Sequence, residues 1–224
     1  MERIKRFSSI LVVLLLLMCG CSKTAPKSEG TTAPTEASTQ STTPPTIKGN
    51  LVCLEISLFS GNYVESGKER PVMDVAAILV ENNTDSFLDL AMITYKVGDR
   101  TAQFRVSGLP SGRRAWVMEL NALTLTDGDE LVLEECQESY NPNAITEPDA
   151  ISVKREGKSL TMTNTSGKTL KNVSVYYKNT MEDGVFLGGI TYVIFFGDME
   201  PGATVTKSAD HFGKNSEIVR YSYQ

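Results

Sequence analysis

Histidine and tryptophan each occur once in 224 residues, as His211 and Trp116, and cysteine occurs four times. A single imidazole leaves most positions of a metal site to other residues, and a nucleophile-base-acid triad needs a hydroxyl and an acid brought to it in defined geometry. The string Ser208-Ala209-Asp210-His211 shows no such arrangement. No catalytic residue, metal ligand or cofactor is therefore expected, and the chain is not read as an enzyme. Basic residues are also in deficit, 22 Lys and Arg against 27 Asp and Glu, for a net charge of −5. That balance argues against nucleic acid as a partner. Long apolar runs are scarce too: Ile10 to Met18 is nine residues, well short of the roughly 20 that span a hydrocarbon core, so no permanent transmembrane helix is expected.

What is there begins with an export signature. Arg3, Lys5 and Arg6 stand against a single acid, Glu2, and are followed by the apolar stretch Phe7 to Met18, the charged and apolar regions of a signal peptide. The run ends in Met18-Cys19-Gly20-Cys21, which resembles the lipobox of bacterial lipoproteins. Cys21 has small Gly20 before it and is the expected lipidated residue; Cys19 follows the bulky Met18 and fits poorly. Each buried methylene of an acyl chain contributes about 0.8 kcal/mol, so two or three chains hold a protein to a membrane. Residues 1–20 are thus read as a leader. Without them the chain carries 19 basic and 26 acidic residues, a net charge of −7.

Residues 22–48 are Thr, Ser, Pro, Ala and a few charges, with nothing apolar larger than Ala before Ile47. Such a segment cannot bury enough surface to offset chain entropy. Residues 21–48 are therefore read as a lipidated cysteine and a disordered tether, reaching roughly 30 Å as a flexible coil.

Beyond the tether the pattern is strand upon strand: alternation in Leu54-Glu55-Ile56-Ser57-Leu58, β-branched and aromatic runs, and turn clusters between them. There is also a repeat. Asn82-Asn83-Thr84 with Leu88, Ala91, Ile93 and Tyr95 matches Asn164-Thr165-Ser166 with Leu170, Val173, Val175 and Tyr177 at an offset of 82. Further on, Phe104, Val106, Leu109, Gly112 and Ala115 match Ile194, Phe196, Met199, Gly202 and Val205 at an offset of 90, so an insertion lies around Met181 to Gly189. Short antiparallel strands with such turns predict an all-β chain of two small immunoglobulin-like antiparallel β-sandwiches in tandem, residues 49–138 and 149–224. At 76 residues the second is small enough to lean on its neighbour.

The stretch Leu160 to Tyr177, Gly188-Gly189-Ile190-Thr191-Tyr192, the turn Met199-Glu200-Pro201-Gly202 and the tail Ser216-Glu217-Ile218-Val219 resemble the small immunoglobulin-like modules of Gram-positive surface lipoproteins, akin to the FxLYD type. The likeness covers most of 150–224 and, more loosely, 72–120. The Phe-x-Leu-Tyr-Asp string itself is replaced by Val-Tyr-Tyr-Lys at 175–178 and Ile-Thr-Tyr-Lys at 93–96. The resemblance implies fold and location more than activity.

Cys53 shares the outward phase of Glu55 and Ser57, and Cys136 that of Val132 and Glu134. The two either form a disulfide or remain separate thiols. Asp127-Gly128-Asp129-Glu130 offers oxygen ligands for calcium but reads more simply as a hairpin turn. Alternation leaves Tyr176, Phe186 and Tyr192, around the insertion, and Trp116, out of phase with Ala115 and Val117, as the candidate exposed aromatic binding surface. The expected function is a binding or adaptor lipoprotein, lipid-anchored at the extracytoplasmic face of the bacterial cell membrane, with a cell-envelope protein or polysaccharide as partner. The alternatives are a structural spacer module and a cell-wall-acting enzyme.

Overall fold

The computed structural model describes residues 3–5, 50–66, 69–126 and 128–224. The leader beyond residues 3–5, Cys21 and the tether lie outside the described residues. Everything described is strand, turn or irregular chain, with no helix, so the all-β expectation of tandem antiparallel sandwiches holds.

The first lobe packs two sheets. One contains β2 (Leu51–Tyr63), β3 (Arg70–Asn82) and β6 (Arg114–Met118); the other contains β4 (Phe87–Val97), β5 (Arg100–Leu109) and β7 (Val132–Asn141) in the order β5-β4-β7. A short strand β1 (Arg3–Lys5) lies antiparallel on the free edge of β2 at Leu58 to Ser60. The second lobe has sheets β13-β9-β8 and β12-β10-β14, built from β8 (Ile151–Glu156), β9 (Ser159–Asn164), β10 (Leu170–Asn179), β12 (Tyr192–Met199), β13 (Thr204–Ser208) and β14 (Ser216–Ser222). Ile145, in the connection between lobes, already bridges to Tyr221 of β14.

Period-two patterning does most of this. Along β4, Ala91, Ile93, Tyr95 and Val97 turn inward and meet Ala102, Phe104 and Val106 of β5. Along β10 and β12 the equivalents are Val173, Val175, Tyr177, Ile194 and Phe196.

The repeat is visible bond for bond. Asn82, fully buried, donates from Nδ2 to the carbonyls of Ser86 (2.8 Å) and Leu109 (2.9 Å), and its Oδ1 accepts from the Thr84 hydroxyl at 2.8 Å. Asn164 donates to Lys168 (2.8 Å) and Met199 (2.9 Å) and accepts from the Ser166 hydroxyl at 2.7 Å. Gly112 and Gly202, both at positive φ, donate their N–H to the carbonyls of Asn82 and Asn164 at 2.8 and 2.9 Å. A short amide side chain thus ties two turns of each lobe together, satisfying backbone groups that burial would otherwise leave unpaired.

The insertion departs from the repeat. Within it, β11 (Phe186–Leu187) joins the sheet of the first lobe, parallel to β6, with Phe186 opposite Ala115 and Leu187 opposite Trp116. That sheet is consequently buried on both faces. Ala76, Ile78, Val80, Ala115 and Val117 face the sandwich core, while Val75, Ala77, Trp116 and Met118 face a second core with Phe59, Tyr63 and Val64. Met181, Val185, Leu187 and Ile190 of the insertion cover that second core.

Candidate functional site

Of the four candidate exposed aromatics, two are interior. Trp116 is 1% exposed and Phe186 is fully buried, so neither presents a ring to a partner. The reason is the insertion, which does not project from the second lobe: β11 extends the sheet beside β6 and sends Phe186 into the sandwich core, while Met181, Val185 and Leu187 cover Trp116 on the other face. Phe186 is clamped by the Arg113 guanidinium, 4.5 Å from its ring centre.

The other two are half-buried and engaged. Tyr176 carries the Arg220 guanidinium 4.5 Å from its ring centre, and Arg220 in turn pairs with Asp89 of the first lobe at 2.6 Å. Tyr192 stacks between Tyr177 (centroids 5.2 Å apart) and His211 (5.0 Å). His211 Nδ1 lies 2.9 Å from a carboxylate oxygen of Glu69, in the first lobe. The lone histidine therefore belongs to a contact between the lobes. Ser208 is engaged elsewhere, sharing a hydrogen bond with Ser159 at 2.7 Å.

Cys53 and Cys136 are free thiols. A β-bulge between Cys53 and Glu55 reverses the expected phase, and Cys53 is buried in the first core. Its sulfur bonds the Glu55 carbonyl at 3.7 Å while the Cys136 sulfur turns to Glu138 at 3.5 Å, so the two thiols serve separate acceptors. Burial raises the Cys53 thiol pKa, and burial next to the Glu138 carboxylate pushes that of Cys136 up to about 12.

Asp127, the first residue of the expected hairpin turn, lies outside the described residues; residues 119–126 and 128–131 on either side of it run irregularly, with Thr124 forming an isolated bridge to Val75. Asp129 accepts from the Thr126 amide (2.7 Å) and pairs with Arg100 (2.6 Å). Among the described residues no group of three or more His, Cys, Asp or Glu is placed to hold a metal ion.

The candidate surface that emerges is the outer face and open edge of β12. This strand is terminal in the order β12-β10-β14. Ile194 and Phe196 point into the core, which sends Val193 and Phe195 outward, 55% and 58% exposed. Val193, Tyr176 and Arg220 are cross-strand neighbours in one row, and Phe195, Ser174 and Ser222 form the next. The Arg220–Asp89 pair closes the β14 side of this face against the first lobe, leaving the β12 side open. An edge strand with unpaired backbone groups and exposed apolar side chains is a site for strand addition or face docking.

Sequence reasoning also missed the buried charges. Lys178, fully buried on β10, donates from Nζ to the carbonyls of Ser107 (3.0 Å), Gly189 (3.1 Å) and Ile190 (2.7 Å). Glu65, 2% exposed in the first lobe, accepts at Oε1 from the amides of Met118 (3.0 Å) and Gly189 (2.8 Å). Burial lowers the lysine pKa and raises that of the carboxyl, each opposed by the charge of the other.

No family model matches the chain, and no curated protein matches it.

Proposed function

We propose that the chain is an exported lipoprotein, acylated at Cys21 and held at the extracytoplasmic face of the bacterial cell membrane, where its paired FxLYD-like, immunoglobulin-like lobes act as a binding or adaptor module. The observation that carries the anchoring is the nine-residue apolar run Ile10 to Met18, behind a basic start and followed by Cys19-Gly20-Cys21. A span that short suits a cleaved leader, and the Thr/Ser/Pro segment after it supplies reach. The open β12 edge with Val193 and Phe195 is the surface that favours binding, to a cell-envelope protein or polysaccharide.

Anchoring is tested by growing the producing bacterium with a clickable fatty acid. Label on the native chain, lost in Cys21→Ala together with release from the membrane, supports it; an unlabelled native chain overturns it. Binding is tested with soluble chain from Ile47 onward in envelope extract. A partner captured by the native surface and lost in Phe195→Glu supports an adaptor. Equal capture by both, or none by either, moves the reading to a spacer, which the joined lobes favour.

A further inference from the structure

We infer that the segment 178–191 of the second lobe is a clasp that completes the first lobe, so that the two repeats form one cooperative folding unit. Four observations converge on it.

The first is apolar cover. Trp116, Met118, Val75, Ala77 and Phe59 form a core on the outer face of the first lobe's sheet, and Met181, Val185, Leu187 and Ile190 lie over it. Without that cover the face meets water. Burial of apolar area stabilises in proportion to the area removed from water, so withdrawing several large side chains at once is costly.

The second is backbone pairing. The Gly188 amide donates to the Trp116 carbonyl at 2.7 Å, and the Ser107 amide donates to the Gly189 carbonyl at 2.8 Å. The Thr191 hydroxyl donates to the Ser107 carbonyl at 2.7 Å.

The third is reciprocal solvation of buried charge. Lys178 belongs to the second lobe, and one of its three acceptors, Ser107, to the first. Glu65 belongs to the first, and one of its two donors, Gly189, to the second. Each lobe holds part of the shell that makes the other's charge tolerable. Removing one of the two charges with the junction closed leaves the other buried and uncompensated, among the most costly defects a fold can carry. The Ile190 carbonyl has Lys178 as its hydrogen-bond donor at 2.7 Å.

The fourth is fit. A Cβ on Gly189 would stand 1.8 Å from the Arg105 carbonyl oxygen, and one on Gly188 would stand 2.4 Å from a Val64 methyl. The clasp backbone therefore touches the first lobe with no room for a side chain. On the outside, Glu69–His211, Arg113–Glu217 and Arg220–Asp89 pair across the same junction.

A consequence is an order of folding: the first repeat cannot finish its sheet until residues 178–191, made later, arrive.

The test is urea unfolding of the purified chain, read by Trp116 fluorescence for the first lobe and by amide exchange of β8, β9 and β13 for the second. In the native chain the two readouts share one midpoint. In Lys178→Met the Trp116 transition falls by roughly 1–2 M urea and separates from that of the second lobe. If Lys178→Met does not fold, Glu65→Gln, which keeps the acceptor and removes the charge, gives a smaller shift of the same kind. Separate midpoints in the native chain, or a Trp116 transition unmoved by both substitutions, overturn the inference.

Discussion

Leu187 lies beside Trp116 in parallel register, a residue of the second repeat paired with one of the first across 71 positions of sequence. The pairing makes the sheet edge of one repeat depend on the insertion that distinguishes the other. Tandem modules are ordinarily joined by small polar interfaces and pivot about them. Here the junction contains a strand pair, an apolar core and two buried charges, which ties the β12 edge to the first lobe as one body.

Close approach at Gly189 gives the sharpest stability prediction. Gly189→Ala brings a methyl against the Arg105 carbonyl and is expected to cost about 3 kcal/mol, at the upper end of overpacking effects. Gly184→Ala, at a position with open space around it but positive φ, meets backbone strain alone, roughly 1–2 kcal/mol. Denaturant titrations of both variants measure the difference; equal losses would mean that the clasp is not tightly seated.

The paired asparagines predict symmetry. Asn82→Ala and Asn164→Ala each strand buried backbone carbonyls, at about 1–3 kcal/mol per unsatisfied group. The two variants should lose stability to within about 1 kcal/mol of each other, as read from their unfolding free energies.

The repeat, the strands and the core phase of β4 and β5 were legible in the sequence because one face of each is largely apolar and the other largely polar, and the repeat carries that phase over to β10 and β12. Two stretches were not read correctly, and both carry a signal. Val75 to Val80 and Ala115 to Met118 are continuously apolar, the mark of a strand covered on both faces. Taking Trp116 as exposed followed from applying alternation where it does not hold, and the same assumption left the insertion as a displayed loop. Cys53 was misphased by a bulge that no side-chain pattern announces. Phe195 lies in the unbroken apolar run Tyr192 to Phe196, so period-two alternation did not single it out as outward. Lys178 gave no sign of burial: a lysine at the end of a strand is ordinarily solvated, and its acceptors come from residues 107, 189 and 190.

The thiols are expected to be silent in the folded chain. With Cys53 buried and Cys136 raised to about 12, iodoacetamide near neutral pH should add no mass to chain from Ile47 onward, and two labels after unfolding without reductant. Absence of labelling in unreduced, unfolded chain would reveal a disulfide.

Tyr63, Tyr177 and Tyr192 are each pushed up to about 12, chiefly by burial and then by nearby acidic groups. A raised folded value means that their contribution to stability is complete below the unfolded value of about 10 and is lost as pH rises from there through about 12. Tyrosinate absorbance of these residues should therefore appear late and together with loss of native Trp116 emission. Titration of all tyrosines near pH 10, with the fold intact, would contradict it.

The most direct measurement of the central claim, that the insertion is a strand of the first lobe's sheet, is residue-resolved hydrogen exchange across 181–191. The Gly188 and Gly189 amides, bonded to the Trp116 carbonyl and to Glu65, should be protected as strongly as those of β6. Exchange of these amides at the rate of an open loop, with β6 still protected, would contradict it.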